Sequence, residues 1–78
     1  MSVNLYQNTN ITDEGLKYLP NLTQLVLDRN KNITDKGLKY VPNLIFLYLH
    51  RNNNITDEGL KSLSKLKWYN MNKFIINS

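Results

Sequence analysis

One string recurs along this chain. Ile-Thr-Asp-x-Gly-Leu-Lys begins at Ile11, again at Ile33 and again at Ile55, each start 22 residues after the one before. The match runs past the string itself. Tyr18-Leu19-Pro20-Asn21-Leu22 returns as Tyr40-Val41-Pro42-Asn43-Leu44, and in looser form as Ser62-Leu63-Ser64-Lys65-Leu66. Between these lie Leu25-Val26-Leu27 and Leu47-Tyr48-Leu49, each followed three residues later by an asparagine, Asn30 or Asn52. A fixed period of this length is the mark of a solenoid, in which each unit buries its apolar face only by stacking on its neighbours. On that frame the chain is a single domain over 1–78, with a partial unit at 1–10 and repeats at 11–32, 33–54 and 55–76.

The residues within one unit say how it should fold. In Leu22-x-x-Leu25-x-Leu27 the last two leucines alternate with Val26, the period of a half-buried strand. The asparagine after it offers both an acceptor and two donors, so Asn8, Asn30 and Asn52 are expected to bond neighbouring turns as a ladder. Thr12-Asp13, Thr34-Asp35 and Thr56-Asp57 are expected to cap short helices, with the acid at the positive helix end. Leu16 and Leu19, Leu38 and Val41, and Leu60 and Leu63 are each three apart, which turns one apolar stripe of a two-turn helix toward the core. Pro20 and Pro42 end those helices and return the chain to the next strand.

These residues resemble the leucine-rich repeat family. The motif Leu-x-x-Leu-x-Leu-x-x-Asn-x-x-Ile-Thr-Asp-x-Gly-Leu stands whole from Leu22 to Leu38 and from Leu44 to Leu60. The Ile-Thr-Asp-x-Gly-Leu element is similar to that of the cysteine-containing subclass, common in substrate receptors that carry an F-box. Two features depart from that subclass: asparagine stands in place of its cysteine, and the unit is shorter. The frame assigns no segment of this sequence to an F-box. The resemblance implies an α/β right-handed solenoid with a short parallel sheet on the concave face and short helices on the convex face. It implies a non-enzymatic scaffold that binds another protein.

Composition narrows the function further. Zero cysteines exclude a disulfide framework and a thiolate metal site, and one histidine, His50, leaves no histidine cage. Asp13, Asp35 and Asp57 fall one per unit but stand where caps are needed, so neither metal nor cofactor is expected. Gly15, Gly37 and Gly59 belong to no glycine-rich phosphate loop and are expected to allow close packing. Of the four Asn-x-Thr triplets, at Asn10, Asn21, Asn32 and Asn54, three come from the repeat itself, and no secretory signal or apolar run of spanning length accompanies them. A cytoplasmic protein is the default. No arrangement of Ser, His and Asp suggests catalysis, so an enzyme is not expected.

The candidate site comes from the stacking. Strands spaced about 4.8 Å apart turn equivalent positions into lanes across the sheet. The lanes are Ser2, Gln24, Phe46, Trp68; then Asn4, Val26, Tyr48, Asn70; then Tyr6, Asp28, His50, Asn72; then Gln7, Arg29, Arg51, Lys73. Phe46, Tyr48 and Trp68 become neighbours beside a row of three cations, and aromatics with arginine dominate interface hot spots. Other readings stand beside this one. Trp68 could instead fold over an open end, the cations could be a solvated strand face, and Asp28 could neutralise Arg51 diagonally. The net charge of +4 and a pI near 9.5 keep single-stranded RNA open as a less favoured partner, with a salt slope of about −2 for three cations. Neither end shows an evident cap. Val3 and Leu5 are expected to face outward unless covered, and Phe74, Ile75 and Ile76 offer an improvised plug. Self-association through the ends, or a remnant of a longer array without a partner of its own, are the remaining expectations.

Overall fold

In the computed structural model, residues 1–70 are described. The order of elements is β1 (Ser2–Asn4), a 3₁₀ helix (Asp13–Tyr18), β2 (Gln24–Val26), α1 (Asp35–Leu38), β3 (Phe46–Tyr48), α2 (Asp57–Lys61) and β4 (Trp68–Asn70). The strands form one parallel sheet in the order β1-β2-β3-β4. Its register repeats the sequence period: Ser2 pairs with Gln24, Gln24 with Phe46, and Phe46 with Trp68. Each strand is only three residues long, and in β2 and β3 the central leucine faces inward while its two neighbours face the other way.

The core is a stack of leucines. Leu22, Leu25, Leu27, Ile33, Leu38 and Val41 are fully buried, and the equivalent Leu44, Leu47, Leu49 and Ile55 are as well. Leu60 and Leu63 continue the stack, 7% and 4% exposed. Val3 and Leu5 correct the expectation that they face outward. The strand pleat sends them to the same side as Leu25 and Leu27. Leu5 is therefore 5% exposed and Val3 packs half-buried against the core.

The asparagine ladder forms as the residue chemistry requires. The Asn30 amide donates to the carbonyls of Leu5 (2.8 Å) and Asn8 (3.2 Å), and its Oδ1 accepts from the backbone of Asn32 and Ile33. Asn52 does the same one coil later, to Leu27 (2.8 Å) and Asn30 (3.1 Å), while accepting from Asn54 and Ile55. Both amides thus use their two donors and two acceptor sites inside the core, so burying them leaves nothing unpaired. Among the described residues no buried side-chain polar atom lacks a partner.

Two of the helices are shorter than the two turns expected, and Asp13 and Asp35 do something other than cap them. The first is a 3₁₀ helix, α1 a single turn and α2 little more. Among the described residues, capping by a side chain occurs only at Thr34, which accepts from the Lys36 backbone at 3.3 Å. Asp13 instead reaches forward to the next coil, where its Oδ1 accepts from Thr34 N–H (2.7 Å) and its Oδ2 from Thr34 Oγ1 (2.6 Å). Asp35 clasps Thr56 through the same two bonds. The physical reason is geometric. Coils stack in parallel, so the start of each helix lies beside the start of the next, within reach of a short carboxylate. This clasp also explains the glycines. A Cβ at Gly37 would stand 2.5 Å from Asp13 Oδ1, and one at Gly59 would collide with the Asp35 carboxylate. Gly15 faces no earlier clasp, and a Cβ there would meet only Ile11 Cγ2 at 3.2 Å.

Candidate functional site

Strand alternation decides which side chains reach solvent on the sheet. In β3, Leu47 is fully buried while Phe46 and Tyr48 point the other way, Phe46 exposed and Tyr48 half-buried. In β4, Trp68 stands in register with Phe46, and the two are 42% and 43% exposed. The structure thus puts Trp68 on the solvent side of a paired strand, against the alternative in which it folds over an end. Its ring lies 4.9 Å from that of Tyr48, tilted by 57°. This is an edge-biased arrangement that satisfies the ring quadrupoles and holds both rings in place. Gln24 and Val26 of β2 continue the same face, both half-buried.

The residues after each strand form the rim of this face. Asp28 and His50 are half-buried, and Arg29 and Arg51 are exposed. Asp28 does not pair with Arg51, contrary to the diagonal pairing open in the sequence. Its Oδ1 accepts from the His50 backbone N–H at 2.9 Å, the contact that the parallel stack brings closest. The ion pairs among the described residues are Glu14 with Lys17 and Glu58 with Lys61, both on the helices. Neither guanidinium therefore has an acidic partner among the described residues. Lys73, the third cation of the lane, lies outside them, as do Asn72, Phe74, Ile75 and Ile76.

One feature of the rim carries no signal in the repeat motif. Gln7, Arg29 and Arg51 hold φ angles of 51°, 55° and 56°, the left-handed region in which glycine or asparagine is at ease. This sharp turn ends each strand and lets the following asparagine enter the core. A solenoid frame implies equivalent backbone in every unit. Sequence reasoning could have found the turn only from its position, since Gln and Arg are not the residues that usually announce it.

The helix side treats its charges differently. Glu14 accepts from Lys17 at 2.9 Å and from the Tyr40 hydroxyl of the next coil at 3.1 Å. These bonds, with Lys17 the larger influence, hold the Glu14 carboxyl below its usual range. In return the Glu14 carboxylate raises both Lys17 and Tyr40 above theirs. Asn43 bridges the returning loops, its amide to the Pro20 carbonyl and its Oδ1 to Lys65 Nζ at 3.0 Å. Beyond α2, the described residues Asp57, Leu60, Lys61, Leu63, Leu66 and Tyr69 line an open cavity of about 420 Å³. Among the described residues no group of His, Asp or Glu is placed to hold a metal ion, and no helix is long and apolar enough to cross a membrane.

Comparison with known sequences agrees with this geometry. No curated protein matches the chain. A family model described as a leucine-rich repeat matches it over residues 1–19, 18–41 and 42–64, one match for each of the three strand-and-helix pairs that precede β4. The matched repeats, the 22-residue strand register and the asparagine ladder place this chain in the leucine-rich repeat family.

Proposed function

We propose that this chain is a non-enzymatic binding module, a right-handed solenoid that captures another protein on the concave, sheet side. Leucine-rich repeats commonly mediate protein–protein interaction. Phe46, Tyr48 and Trp68 are the anchors of the proposed face. Gln24, Asp28 and His50 line it, and Arg29 and Arg51, with Lys73 further along the lane, orient the partner. The observation that carries this reading is the exposure of Phe46 and Trp68, 42% and 43%, on adjacent strands of a sheet that has helices on its other face only. Parallel sheets are as a rule covered on both faces. Large apolar side chains left together on a bare one are the usual composition of an interface centre.

The test is selection of peptides from a random dodecapeptide display library on the immobilised chain, repeated on Phe46→Ser/Trp68→Ser. Peptides retained by the native chain and lost from a variant with unchanged circular dichroism support the sheet face. Peptides retained equally by both move the site elsewhere. Labelled oligouridine that binds at low salt and is displaced by the selected peptides would turn the reading toward single-stranded RNA. Self-association through the ends is a separate expectation, checked by light-scattering mass on the same samples.

A further inference from the structure

We infer that the segment captured by the sheet face is acidic, with carboxylates that meet Arg29 and Arg51 and an apolar residue that meets Phe46 and Trp68. This rests on the sheet face being the binding face, and adds the chemistry of what binds there.

Acidic charge is concentrated on the helix side of the molecule. The chain has six acidic residues, and Asp13, Glu14, Asp35, Asp57 and Glu58 all lie in the first turns of the three helices. Only Asp28 belongs to the sheet side, and one of its oxygens is bound to the His50 N–H. Arg29 and Arg51 stand exposed at equivalent places on neighbouring coils, joined by the bond from Arg29 N–H to the His50 carbonyl at 2.9 Å. Parallel stacking sets such neighbours about 4.8 Å apart. Two guanidiniums carried on neighbouring coils without an acidic partner among the described residues repel each other, and a carboxylate bound between or across them relieves the repulsion. The planar fork of each guanidinium matches a carboxylate with two parallel hydrogen bonds. The aromatics lie on the same face, at the strands that precede these rim residues. A partner segment with acids beside an apolar side chain fills both halves at once.

The arginines lie at the rim, where ion pairs act more on partner choice and encounter rate than on final affinity. The expected effects follow from that. Peptides selected on the native chain should be enriched in Asp and Glu close to an apolar residue. On Arg29→Gln/Arg51→Gln the acidic enrichment should vanish while the apolar residue persists. A single selected peptide should bind that variant about tenfold more weakly, mainly through a slower association, and the gap should close at high salt. Arg29→Lys/Arg51→Lys should fall between, keeping charge but losing the fork.

Two results contradict the proposal in different ways. Selected peptides that depend on Phe46 and Trp68 but show no acidic enrichment, or enrichment in Lys and Arg, overturn the inference and leave the sheet face standing. Absence of any peptide that depends on Phe46 and Trp68 overturns both. Matching circular dichroism spectra for all variants exclude loss of fold as the cause.

Discussion

On the helix side of this solenoid, Asp13 and Asp35 are each bound twice to a threonine of the next coil, and Glu14 is shared between a lysine and a tyrosine. On the sheet side, two arginines have no acidic partner among the described residues, and two of the largest apolar side chains stand more than two-fifths exposed. Both sides come from one 22-residue unit, so the difference is not a matter of overall composition. Polar groups on one side are consumed in joining coils. On the other the joining is done mainly by backbone bonds of the parallel sheet, with Asp28 adding one bond to the His50 N–H, and the side chains of Phe46, Arg29 and Arg51 take no part in it. The contrast separates what holds the array together from what it has left to offer a partner.

That separation can be broken from the helix side first. Gly37→Ala should be the most damaging change. Its methyl would press on Asp13 Oδ1 and on Leu16 Cδ1, at 2.5 and 3.1 Å, both crowding the core and dislodging the clasp. A loss of about 3 kcal/mol is expected in urea unfolding. Phe46→Ser on the sheet side should stay within about 0.5 kcal/mol of the native protein. If the two variants lost stability equally, the division of labour would be wrong.

Asp13→Ala comes next. It leaves a half-buried Thr34 N–H without its charged acceptor and should cost about 2 kcal/mol. Asp35→Ala should cost about half as much, because water can replace the acceptor at the exposed Thr56. Equal effects from the two would argue against the clasp as the source.

Arg29→Gly sharpens the comparison from the sheet side with the opposite sign. Glycine is at ease at a φ of 55°, so the variant should gain about 1 kcal/mol and melt at a higher temperature. At the same time it should bind selected acidic peptides more weakly. A gain in stability joined to a loss of binding is what a residue retained for its side chain predicts. A loss of both would mean that the arginine serves the fold.

The smallest effect is a pH dependence. Hydrogen bonding to Glu14 raises the folded-state pKa of Tyr40 above its unfolded value, and that of Lys17 rises for the same reason. Their contribution is therefore fully present below the unfolded values and fades as pH rises from near 10.0 through the raised folded values. Glu14 behaves in mirror image, its contribution fading as pH falls from its unfolded value through the lowered folded one. Tyr40→Phe should unfold in alkali with a shallower pH slope than the native chain, since of the two groups raised by Glu14 only Lys17 then remains. Glu14 and Lys17 are exposed to solvent and Tyr40 is only half-buried, so the slopes should be slight and salt-sensitive.

What could be read in the sequence depended on whether a residue's role lies within its own unit or between units. The repeat period alone places Leu25, Leu47 and Trp68 on their strands, because register in a parallel stack equals the period. The asparagine ladder followed from the inventory of one side chain. The aspartate clasp was hidden, since Thr34-Asp35 within one unit is indistinguishable from a helix cap. Only the stack shows that Asp13 reaches Thr34 in preference to its own helix. Asp28 misled for the same reason, because a nearby arginine is a stronger sequence cue than the backbone N–H of His50. The left-handed turns at Arg29 and Arg51 were invisible in residue type, being fixed by the need to bring Asn30 and Asn52 into the core.

The most direct measurement is a chemical-shift map of the isotopically labelled chain titrated with a peptide selected on it. The account predicts shifts at the amides of Gln24, Arg29, Phe46, Tyr48, Arg51 and Trp68, with Lys36, Lys39, Glu58 and Lys61 unmoved. Shifts concentrated on those four helix-side residues, with the sheet-side amides unchanged, would contradict it.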